Sequence, residues 1–554
     1  MLWELQKKSQ QLLSQEIGPR IKANGSQLSI AIIYPNTYYL GMSNLGWQQV
    51  YFLLNQIESV RCERVFLPDQ EDIKIFRERS IELRSLETQT PLGEFDILAF
   101  SISFENDYLN ILEILNLAHI PQLAEKRNPL FHPLVMAGGV CAFSNPEPLT
   151  PFIDLFVLGE CEPILNPLIE IFLEYRTKTA DRLPLLQRLS SLEGLYVPSA
   201  HQINYDEKGT ISGVTIKEGF SHKTKRIWLK DLTQYPATSR ILTANTEFGH
   251  MFLIETNRGC PRGCSFCLAG GIYRPVRYQA KHIILEEAKR GLEHRQTIGL
   301  VGTALSDHPE LEEIAHKIND YGGKISLSSL NITRISPGLL SSLIKSGHKT
   351  LTLAPEAGTE RLRKHIGKDL SDEFILKTIE LIFLCGFSTL KLYFMIGLPS
   401  EREEDINGII QLTKKIKHQA LKIGRGKGKL GKITLSVNSF VPKPWTPFQR
   451  ESMASIPSLR EKIKHLKSDL KGLGNIEVIH DLPKWAMIQG LLARGDRRIG
   501  KLLLLAWEKG GNWPEAFLES DLNPDFYVFR SRSTEEILPW DHLKIQPSRK
   551  VNIR

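Results

Sequence analysis

The first part of the chain alternates short apolar runs with stretches of helical periodicity. The runs are rich in β-branched and other apolar residues, as in SIAIIYP at 29–35. The predicted strands are residues 29–35, 64–68, 96–103, 133–139 and 154–160. Because continuous apolar strands separated by helices form parallel sheets covered on both faces, the pattern predicts a doubly wound α/β domain over residues 1–179. Ligands of such domains bind beyond the carboxyl ends of the strands.

A second region of alternating strands and helices follows a less regular stretch. Residues 180–247 lose the alternation, and we interpret them as a linker with one or two hairpins. The strands predicted after it are residues 252–256, 298–303, 324–330, 350–355, 390–397 and 433–440. Six βα units are too few for an eightfold barrel, so they indicate a partial (β/α)6 barrel over 248–479 with an open side. The pattern of residues 480–554 predicts a small C-terminal extension that is partly helical and partly irregular.

Composition and charge narrow the class of protein. The 554 residues are 42% hydrophobic and 24% charged, which is ordinary for a globular chain and excludes a disordered one. No apolar run approaches the roughly 18 residues of a membrane span, and the N-terminus lacks the features of a signal peptide, so we expect a cytoplasmic protein. The net charge of +8 equals the eight cations between Lys414 and Lys432. This basic segment indicates either a local anionic contact or a solvated loop.

Three of the seven cysteines form a tight group. Cys260, Cys264 and Cys267 have the spacing C-x3-C-x2-C and follow the first barrel strand, where the active sites of βα barrels lie. Three thiolates are one ligand short of a four-iron cluster or a tetrahedral zinc site, and an open position is typical of a catalytic metal. A structural zinc site is the alternative, with His282 or His294 as its fourth ligand.

This cysteine motif resembles that of the radical SAM superfamily, including an aromatic residue, Phe266, before the last cysteine. The resemblance implies that the three cysteines hold a [4Fe-4S] cluster whose fourth iron chelates S-adenosylmethionine (SAM). It also implies reductive cleavage of SAM to a 5′-deoxyadenosyl radical, with Phe266 against the adenine. The electron would come from an external donor of the flavodoxin or ferredoxin type.

Further positions at strand ends match the places where the superfamily contacts SAM. They are Gly302 and Thr303 after the second barrel strand, Ser328 and Asn331 after the third, Glu356 and Arg361 after the fourth, and Ile396 at the end of the fifth. Gly302 and Thr303 replace the usual Gly-Gly-Glu segment near the methionine amino group. Glu356 and Arg361 would form a polar pair that positions the SAM carboxylate, and Ile396 would border the adenine.

The N-terminal domain resembles the cobalamin-binding domain of one uncharacterised branch of the superfamily. Gly138 and Gly139 in AGGVCAF, and Gly159 in FVLGECEPIL, lie in stretches that look like the loops holding the nucleotide tail of cobalamin. Tyr38 stands where the D-x-H-x-x-G motif supplies a histidine to the cobalt. Bound cobalamin would therefore lack a lower protein ligand. The alternative is that the sheet has lost cobalamin and serves as a scaffold.

The other four cysteines and a C-terminal tryptophan have simpler interpretations. Cys141 and Cys161 follow strand ends and could complete a second cluster with Cys62, but Cys62 precedes the apolar run of its strand and is expected at the opposite edge. We therefore interpret these cysteines as small buried residues, and Cys385 as part of a helix core. Trp540 is predicted to be a hydrophobic plug, with a place in the substrate pocket as the alternative.

The resemblance supports two enzymatic hypotheses. The first is a radical SAM enzyme that modifies an unidentified substrate, with methyl transfer as the reaction if cobalamin binds. The second is an RNA-modifying radical SAM enzyme without cobalamin, in which the segment 414–432, in the loop before the sixth barrel strand, contacts phosphate at the barrel mouth. A third, non-catalytic hypothesis is a cluster-dependent sensor or scaffold.

Overall fold

The computed structural model describes residues 2–19, 26–221, 224–328, 330–425 and 431–545. Within these ranges the chain forms a six-stranded and two four-stranded sheets, mostly parallel, with helices between the strands, so the predicted α/β class is confirmed. The N-terminal strands are β1 (Leu28–Tyr34), β2 (Val60–Phe66), β3 (Ile97–Ser101), β4 (Leu134–Gly138), β5 (Leu155–Val157) and β6 (Leu195–Tyr196). The helices among them are α1 (Leu2–Ser14), α2 (Tyr38–Met42), α3 (Leu45–Gln56), α4 (Gln70–Arg79), α5 (Tyr108–Leu117), α6 (Val140–Ser144), α7 (Leu165–Tyr175) and α8 (Leu183–Ser190).

The first sheet has the strand order β2-β1-β3-β4-β5-β6, and its first five strands are parallel. Alternate side chains of β1 serve two cores: Ala31 and Ile33 pack on one face, while Ile30 and Ile32 pack on the other. The order reverses between β1 and β3, which in doubly wound sheets creates a crevice beyond the carboxyl ends of the strands.

Only part of residues 180–247, the stretch interpreted as a linker, is a linker. Its expected hairpin is formed by β7 (His201–Tyr205) and β8 (Ile211–Ile216). However, α8 packs on α7, and β6 adds to the edge of the first sheet antiparallel to β5. Tyr196 is fully buried there, so this part of 180–247 belongs to the packed N-terminal body.

The second half forms the partial barrel. Its strands are β9 (Met251–Arg258), β10 (Arg277–Tyr278), β11 (Thr297–Gly302), β12 (Lys324–Leu327), β13 (Thr350–Glu356), β14 (Thr389–Ile396), β15 (Lys432–Ser439) and β16 (Ile476–His480). Its helices are α9 (Leu268–Ile272), α10 (Lys281–Leu292), α11 (Leu311–Asp320), α12 (Pro337–Lys345), α13 (Glu360–His365), α14 (Asp372–Leu384), α15 (Glu403–Arg425) and α16 (Ile456–Leu470). A parallel bridge between Leu330 and Leu353 joins its two four-stranded sheets.

The barrel contains seven parallel strands among the described residues, one more than the six predicted. The additional strand, β16, pairs with β15 at the open edge of the sheet. Its side chains alternate between half-buried and exposed, because one side of this strand has little to pack against. An edge strand of this kind lacks the continuous apolar run that identified the other six.

The basic segment does not lie where it was expected. Residues 414–425 are the second half of helix α15, and Lys415 pairs with Asp372 on α14. Residues 426–430 lie outside the described residues. Because the segment leads into the start of β15, it is at the amino end of the strands, opposite the barrel mouth.

Four helices follow the barrel: α17 (Pro483–Arg494), α18 (Ile499–Glu508), α19 (Trp513–Glu519) and α20 (Pro524–Val528). After them the chain returns to the core, where Trp540 is fully buried and donates a hydrogen bond to Gln449 Oε1 (3.0 Å). The interpretation of Trp540 as a hydrophobic plug is therefore confirmed. No helix in the described part of the chain is both long and apolar enough to cross a membrane.

Candidate functional site

The three clustered cysteines lie in one cavity at the carboxyl end of the barrel strands. Cys260, Cys264 and Cys267 follow β9, and all three line a cavity of about 520 Å³. The loop is compact, since Cys267 N–H donates to the carbonyl of Cys264 (3.1 Å). Gly259 makes this possible: its φ is +88°, and a Cβ there would lie 2.3 Å from the carbonyl oxygen of Tyr273. The loop is thus held against α9 and its continuation.

The cysteine side chains are free thiols in a partly buried setting. Burial, together with the neighbouring Cys260 and Cys267, raises the pKa of Cys264 to about 11, although the positive charge of Lys368 opposes this. Burial likewise raises the pKa of Cys260. Three neighbouring thiolates are therefore stable only around a compensating cationic centre. Thiolate ligands select iron–sulfur clusters or zinc over harder metals.

The donor set suits a cluster better than a single zinc ion. Among the described residues, no three His, Cys, Asp or Glu side chains converge as a single-ion site. The thiolates of a cluster need not converge, because each binds a different iron. The two histidines considered as zinc ligands, His282 and His294, are exposed on and after α10 and do not line the cavity. Three cysteines with one open position therefore fit the [4Fe-4S] cluster.

The cavity wall contains most of the other residues that the sequence singled out. Those lining it are Phe266, Gly302, Thr303, Ser328, Asn331 and Glu356. Phe266 packs at the edge of a small apolar cluster that includes Leu362 and Phe440. Asn331 is fixed at the start of a 3-10 turn, where its Oδ1 accepts from the N–H of Thr333 (3.0 Å). The strand-end positions of the barrel thus come together around the cysteines.

The expected pairing of Glu356 with Arg361 is wrong. Glu356 pairs instead with Lys368, whose Nζ lies 2.9 Å from Glu356 Oε1 and donates to the carbonyl of Ala354 (2.8 Å). Arg361 is on the outer side of α13, where it forms an ion pair with Asp405 of α15, and it does not line the cavity. Glu356 has a φ of +69°, so the ion pair holds a strained strand end in place.

The expectation for Ile396 is also corrected. Its side chain is fully buried in the barrel core and does not line the cavity. The residues after it form a tight turn in which the N–H of Gly397 donates to Glu401 Oε1 (2.9 Å). Glu401 is in turn paired with Lys462. This segment is accordingly a structural turn beside the site.

A second polar group of the cavity was missed by the sequence analysis. Arg262, within the cysteine loop, donates two hydrogen bonds to Asp307, at 3.0 and 2.7 Å. Arg334 makes a third contact with the same carboxylate (3.2 Å). Asp307 comes from the loop after β11, so the contact ties the cysteine loop to the neighbouring strand end. Nothing in the spacing of these residues signals that they meet.

Another cavity, of about 370 Å³, opens at the carboxyl edge of the N-terminal sheet. Its inner wall is apolar and lies between the sheet and helices α3 and α7, with Ile32, Met136 and Leu168 among its residues. Its rim contains the three predicted glycines, Gly138, Gly139 and Gly159. The cavity therefore combines an apolar interior with a rim of polar backbone groups.

Two of these glycines are required by close backbone approach. Gly139 has a φ of +92°, and a Cβ there would lie 2.6 Å from the carbonyl oxygen of Ile102. Gly159 has a φ of +121°, and a Cβ would lie 2.0 Å from the carbonyl oxygen of Ile227. Any larger residue would force the rim of the cavity apart.

The N-terminal cavity reaches the barrel. Its wall includes Glu255 and Arg258 of β9, Tyr273, and Thr303. Thr303 also lines the cavity that contains the cysteines, so the two cavities meet at this side chain. The carboxyl ends of both sheets thus face one shared interior.

Charged side chains hold the two halves together beside this junction. Arg277 donates to both oxygens of Glu160, each at 2.8 Å, and Arg258 contacts Glu160 (3.0 Å) and Glu162 (2.7 Å). Although burial favours the neutral acid, the hydrogen bonds from Arg277 and the nearby positive charges hold the pKa of Glu160 below its usual value. Glu160 is therefore ionised and fixes the N-terminal rim to the barrel.

Tyr38 lies away from the N-terminal cavity. It is buried on α2, lines a different cleft, and donates to Glu16 Oε1 (2.6 Å). Burial and the neighbouring Glu16 carboxylate raise the pKa of its hydroxyl, so Tyr38 is neutral. The residue in the histidine position of the motif thus belongs to a structural network.

The remaining cysteines do not form a second site. Cys62 and Cys141 are buried in different cores, on opposite faces of the N-terminal sheet, and Cys161 lines the N-terminal cavity. Burial raises the pKa of all three thiols well above the usual value. Cys385 ends α14 and packs against the core. These positions agree with the interpretation of Cys62, Cys141 and Cys385 as small packing residues.

Comparison with known proteins identifies the family. Residues 46–198 match the family described as radical SAM proteins, N-terminal, and residues 254–413 match the radical SAM superfamily. Uncharacterized protein MJ0966 of Methanocaldococcus jannaschii is 32% identical over 479 residues, which cover 86% of this chain and 90% of that protein.

Solved structures of similar fold include two cobalamin-containing proteins. One is the radical SAM methyltransferase TsrM from Kitasatospora setae with cobalamin and a [4Fe-4S] cluster bound (12% identity, TM-score 0.46, 74% of this chain and 72% of that chain). The other is the cobalamin-dependent SAM radical enzyme OxsB with aqua-cobalamin bound (14% identity, TM-score 0.46, 70% of this chain and 52% of that chain). These likenesses are too distant to assign a ligand. With its superfamily match over the cysteine loop and a relative along most of its length, the chain belongs to the radical SAM superfamily of enzymes.

Proposed function

We propose that this enzyme cleaves SAM reductively and transfers a methyl group, with the help of cobalamin, to a substrate not yet identified. One observation carries the proposal: the cavity of the cysteines and the cavity of the N-terminal sheet meet at Thr303. A methyl carrier in the second cavity would face the SAM site in the first.

The residues around the cysteines would hold the cluster and SAM. Cys260, Cys264 and Cys267 are the ligands available to iron, and Phe266 offers an aromatic face beside them. The Glu356–Lys368 pair presents an anion and a cation toward the zwitterionic methionine end of SAM. When bound and reduced by an external donor, the cluster supplies the electron that breaks a carbon–sulfur bond of SAM.

The N-terminal cavity suits the nucleotide end of cobalamin. Its apolar interior between sheet and helices matches an aromatic base, while the backbone groups at Gly138, Gly139 and Gly159 can meet the polar tail. Since the cavity has a volume of about 370 Å³, it would hold part of the cofactor, and the remainder would extend toward the barrel past Glu255, Arg258 and Thr303. Because Tyr38 is engaged with Glu16 elsewhere, the protein would offer no tyrosine or histidine from that motif to the cobalt.

The junction of the two halves would exclude water from the reacting groups. Lys443, after β15, forms an ion pair with Glu105 of the N-terminal half, and Gln489 donates to the same carboxylate (3.0 Å). Trp445 Nε1–H donates to the carbonyl of Ser144 (2.8 Å). Closing a site in this way protects reactive intermediates from solvent.

Cobalamin retention tests the proposal. The chain is reconstituted anaerobically with iron and sulfide, mixed with hydroxocobalamin and desalted, and bound cobalamin is read from the visible spectrum. We expect one cobalamin per chain in the wild type and a large loss in Ala99→Phe, which fills the apolar cavity. Tyr38→Phe is the matched control and should retain cobalamin. An empty wild-type protein with an intact cluster would make the N-terminal sheet a scaffold.

The products of SAM test the reaction type. Methyl transfer by this route predicts both 5′-deoxyadenosine and S-adenosylhomocysteine once a substrate is supplied. Detection of 5′-deoxyadenosine alone would contradict methyl transfer and leave ordinary hydrogen abstraction. The alternative of RNA modification through the segment 414–432 has lost its structural basis, since 414–425 is helical and the segment leads away from the barrel mouth.

A further inference from the structure

A groove of about 570 Å³ runs between helix α16 and the edge strand β16, outside both cavities described above. Four cations line it, at spacings of four, three and four residues; the first three lie on one face of α16, and the fourth is the residue that caps its carboxyl end. They are Arg460, Lys464, Lys467 and Lys471. His480 closes the groove from β16.

The four cations form no ion pair among the residues that the structure describes, and no acidic residue lines the groove. Of the acidic side chains nearby, Glu477 pairs with Lys432, and Asp469 contacts the imidazole of His465 on its own helix. Glu461 is on the same helix but does not line the groove. The groove therefore presents a concentrated positive field to an anionic ligand.

The cations are arranged along a line. Ten residues of α16 lead from Arg460 to its last residue, Leu470, a rise of roughly 15 Å, and Lys471 follows in extended backbone. Stacked nucleotides of one strand rise about 3.4 Å each, so the stripe spans about five phosphates. Side chains on one face of a helix repeat about every 5.4 Å. The cations are therefore spaced closely enough to contact successive phosphates of a nucleic-acid backbone along the groove.

An exposed aromatic side chain stands at one end of the groove. Leu482 and Pro483 line this end, and Trp485 follows one turn later, where its N–H donates to the carbonyl of Leu482 (2.8 Å). Trp485 is 42% exposed, unlike the other tryptophans near the junction, Trp445 and Trp540. Trp485 itself does not line the groove, and Lys484 Nζ lies 5.3 Å from the centre of its ring. An exposed indole next to these cations is a surface on which a nucleobase can stack.

The aromatic end of the groove leads toward the barrel mouth. Helix α17 begins there, and one turn beyond Trp485 it presents Gln489, which binds Glu105 at the junction of the two halves. Because β15 and β16 are parallel, His480 is at the same end of the barrel as Ser439, the carboxyl end. A strand lying in the groove could thus extend toward the catalytic interior.

We propose that this groove binds single-stranded nucleic acid, with its phosphates on the cations of α16 and a base on Trp485. Binding of a strand does not depend on the proposed function. Only the role of the bound strand as the substrate of the enzyme rests on it. An acidic protein, such as a reductant, would also be attracted by the cations. It would gain little from an indole suited to base stacking.

Binding of a fluorescein-labelled 15-nucleotide oligouridylate to the reconstituted full chain tests the inference. Fluorescence anisotropy is measured over a range of salt concentrations. Four phosphate contacts predict a slope of about −2.8 for log affinity against log salt, as expected for single strands. Arg460→Glu, Lys464→Glu and Lys467→Glu together should abolish binding. A matched triple reversal at the amino end of the barrel, Lys324→Glu, Lys345→Glu and Lys349→Glu, should leave it unchanged.

The stacking contact is tested by Trp485→Ala, which should weaken binding at least about fivefold without changing the salt slope. Equal loss of binding in the two triple variants would overturn the inference, because net charge alone would then explain it. Poly-glutamate that competes as well as oligouridylate, with no effect of Trp485→Ala, would assign the groove to an acidic protein. Formation of 5′-deoxyadenosine by the same preparations separates a failure of this inference from a failure of the proposed function.

Discussion

Replacement of Lys368 by methionine is the sharpest test of how the cavity holds SAM. Lys368 keeps Glu356 at the strand end through a contact of 2.9 Å and also binds the carbonyl of Ala354 (2.8 Å). Methionine preserves the length and much of the volume of the side chain while removing the charge. The carboxylate of Glu356 would then lose its only ion-pair partner among the described residues.

The size of the effect follows from the burial of this pair. The Lys368 and Glu356 side chains are 20% and 14% exposed, so solvent replaces the lost contact only in part. A hydrogen bond to a charged group contributes about 1.5 to 3 kcal/mol. Because Glu356 also has a strained φ of +69°, it would relax away from the cavity once released. We expect the KM for SAM to rise about 10- to 100-fold.

The assay is formation of 5′-deoxyadenosine with dithionite as reductant, at a series of SAM concentrations. Iron content per chain is measured alongside, and it should stay equal to that of the wild type. Arg361→Met is the matched control, because Arg361 binds Asp405 outside the cavity, and its KM should change by less than threefold. The reasoning would be refuted if Lys368→Met kept its KM while Arg361→Met lost affinity for SAM.

Three further changes probe the cluster, the junction and the cavity rim. Cys264→Ala should remove the visible absorbance of the cluster and all SAM cleavage, whereas Cys141→Ala should retain both. Glu160→Gln should lower the free energy of urea unfolding by about 1.5 to 3 kcal/mol, since it weakens charged hydrogen bonds in a buried site. Because the pKa of Glu160 is lowered in the fold, this difference should be complete above pH 4.5 and shrink as the pH falls further. Gly139→Ala should lower the thermal midpoint, while Gly213→Ala, with nothing within 4 Å of the new Cβ, should not.

The sequence predicts the parallel sheets well because their strands are buried on both faces. Strands such as β14 and β15 differ from the predicted ranges by a single residue at each end. The exceptions are strands that pack on one side only or are very short. β16 is half exposed, and β6 is two residues long, so neither contains an apolar run. A hydrophobic pattern identifies strands that are both long and buried, whereas β16 is half exposed and β6, although buried, is too short to show a pattern.

The sequence predicts those residues of the candidate site that lie at or near the ends of strands. It does not predict those that the path of a loop brings into the site. Gly302 and Glu356 are the last residues of β11 and β13, and Asn331 comes four residues after β12, so the barrel fixes them at the mouth. Lys368 comes twelve residues after Glu356, beyond helix α13, and only the return of the chain brings it back. The resemblance to the superfamily implies Arg361 instead, but the first turn of α13 faces α15, where Arg361 pairs with Asp405.

A local irregularity in β11 explains both the departure from Gly-Gly-Glu and the junction of the two cavities. The pairing of β11 with β9 shifts between Val301 and Gly302, so that Gly302 lies opposite Asn257. A Cβ at Gly302 would be 2.1 Å from Asn257 Oδ1, which restricts this position to glycine. Bulges of this kind redirect the side chain that follows them. Here that side chain is Thr303, which stands between the cavities and is small enough to leave them in contact, whereas a glutamate would fill more of the passage. The bulge therefore places Thr303, where the superfamily usually has a glutamate, at the meeting point of the two cavities, and a spacing argument alone has no means of detecting it.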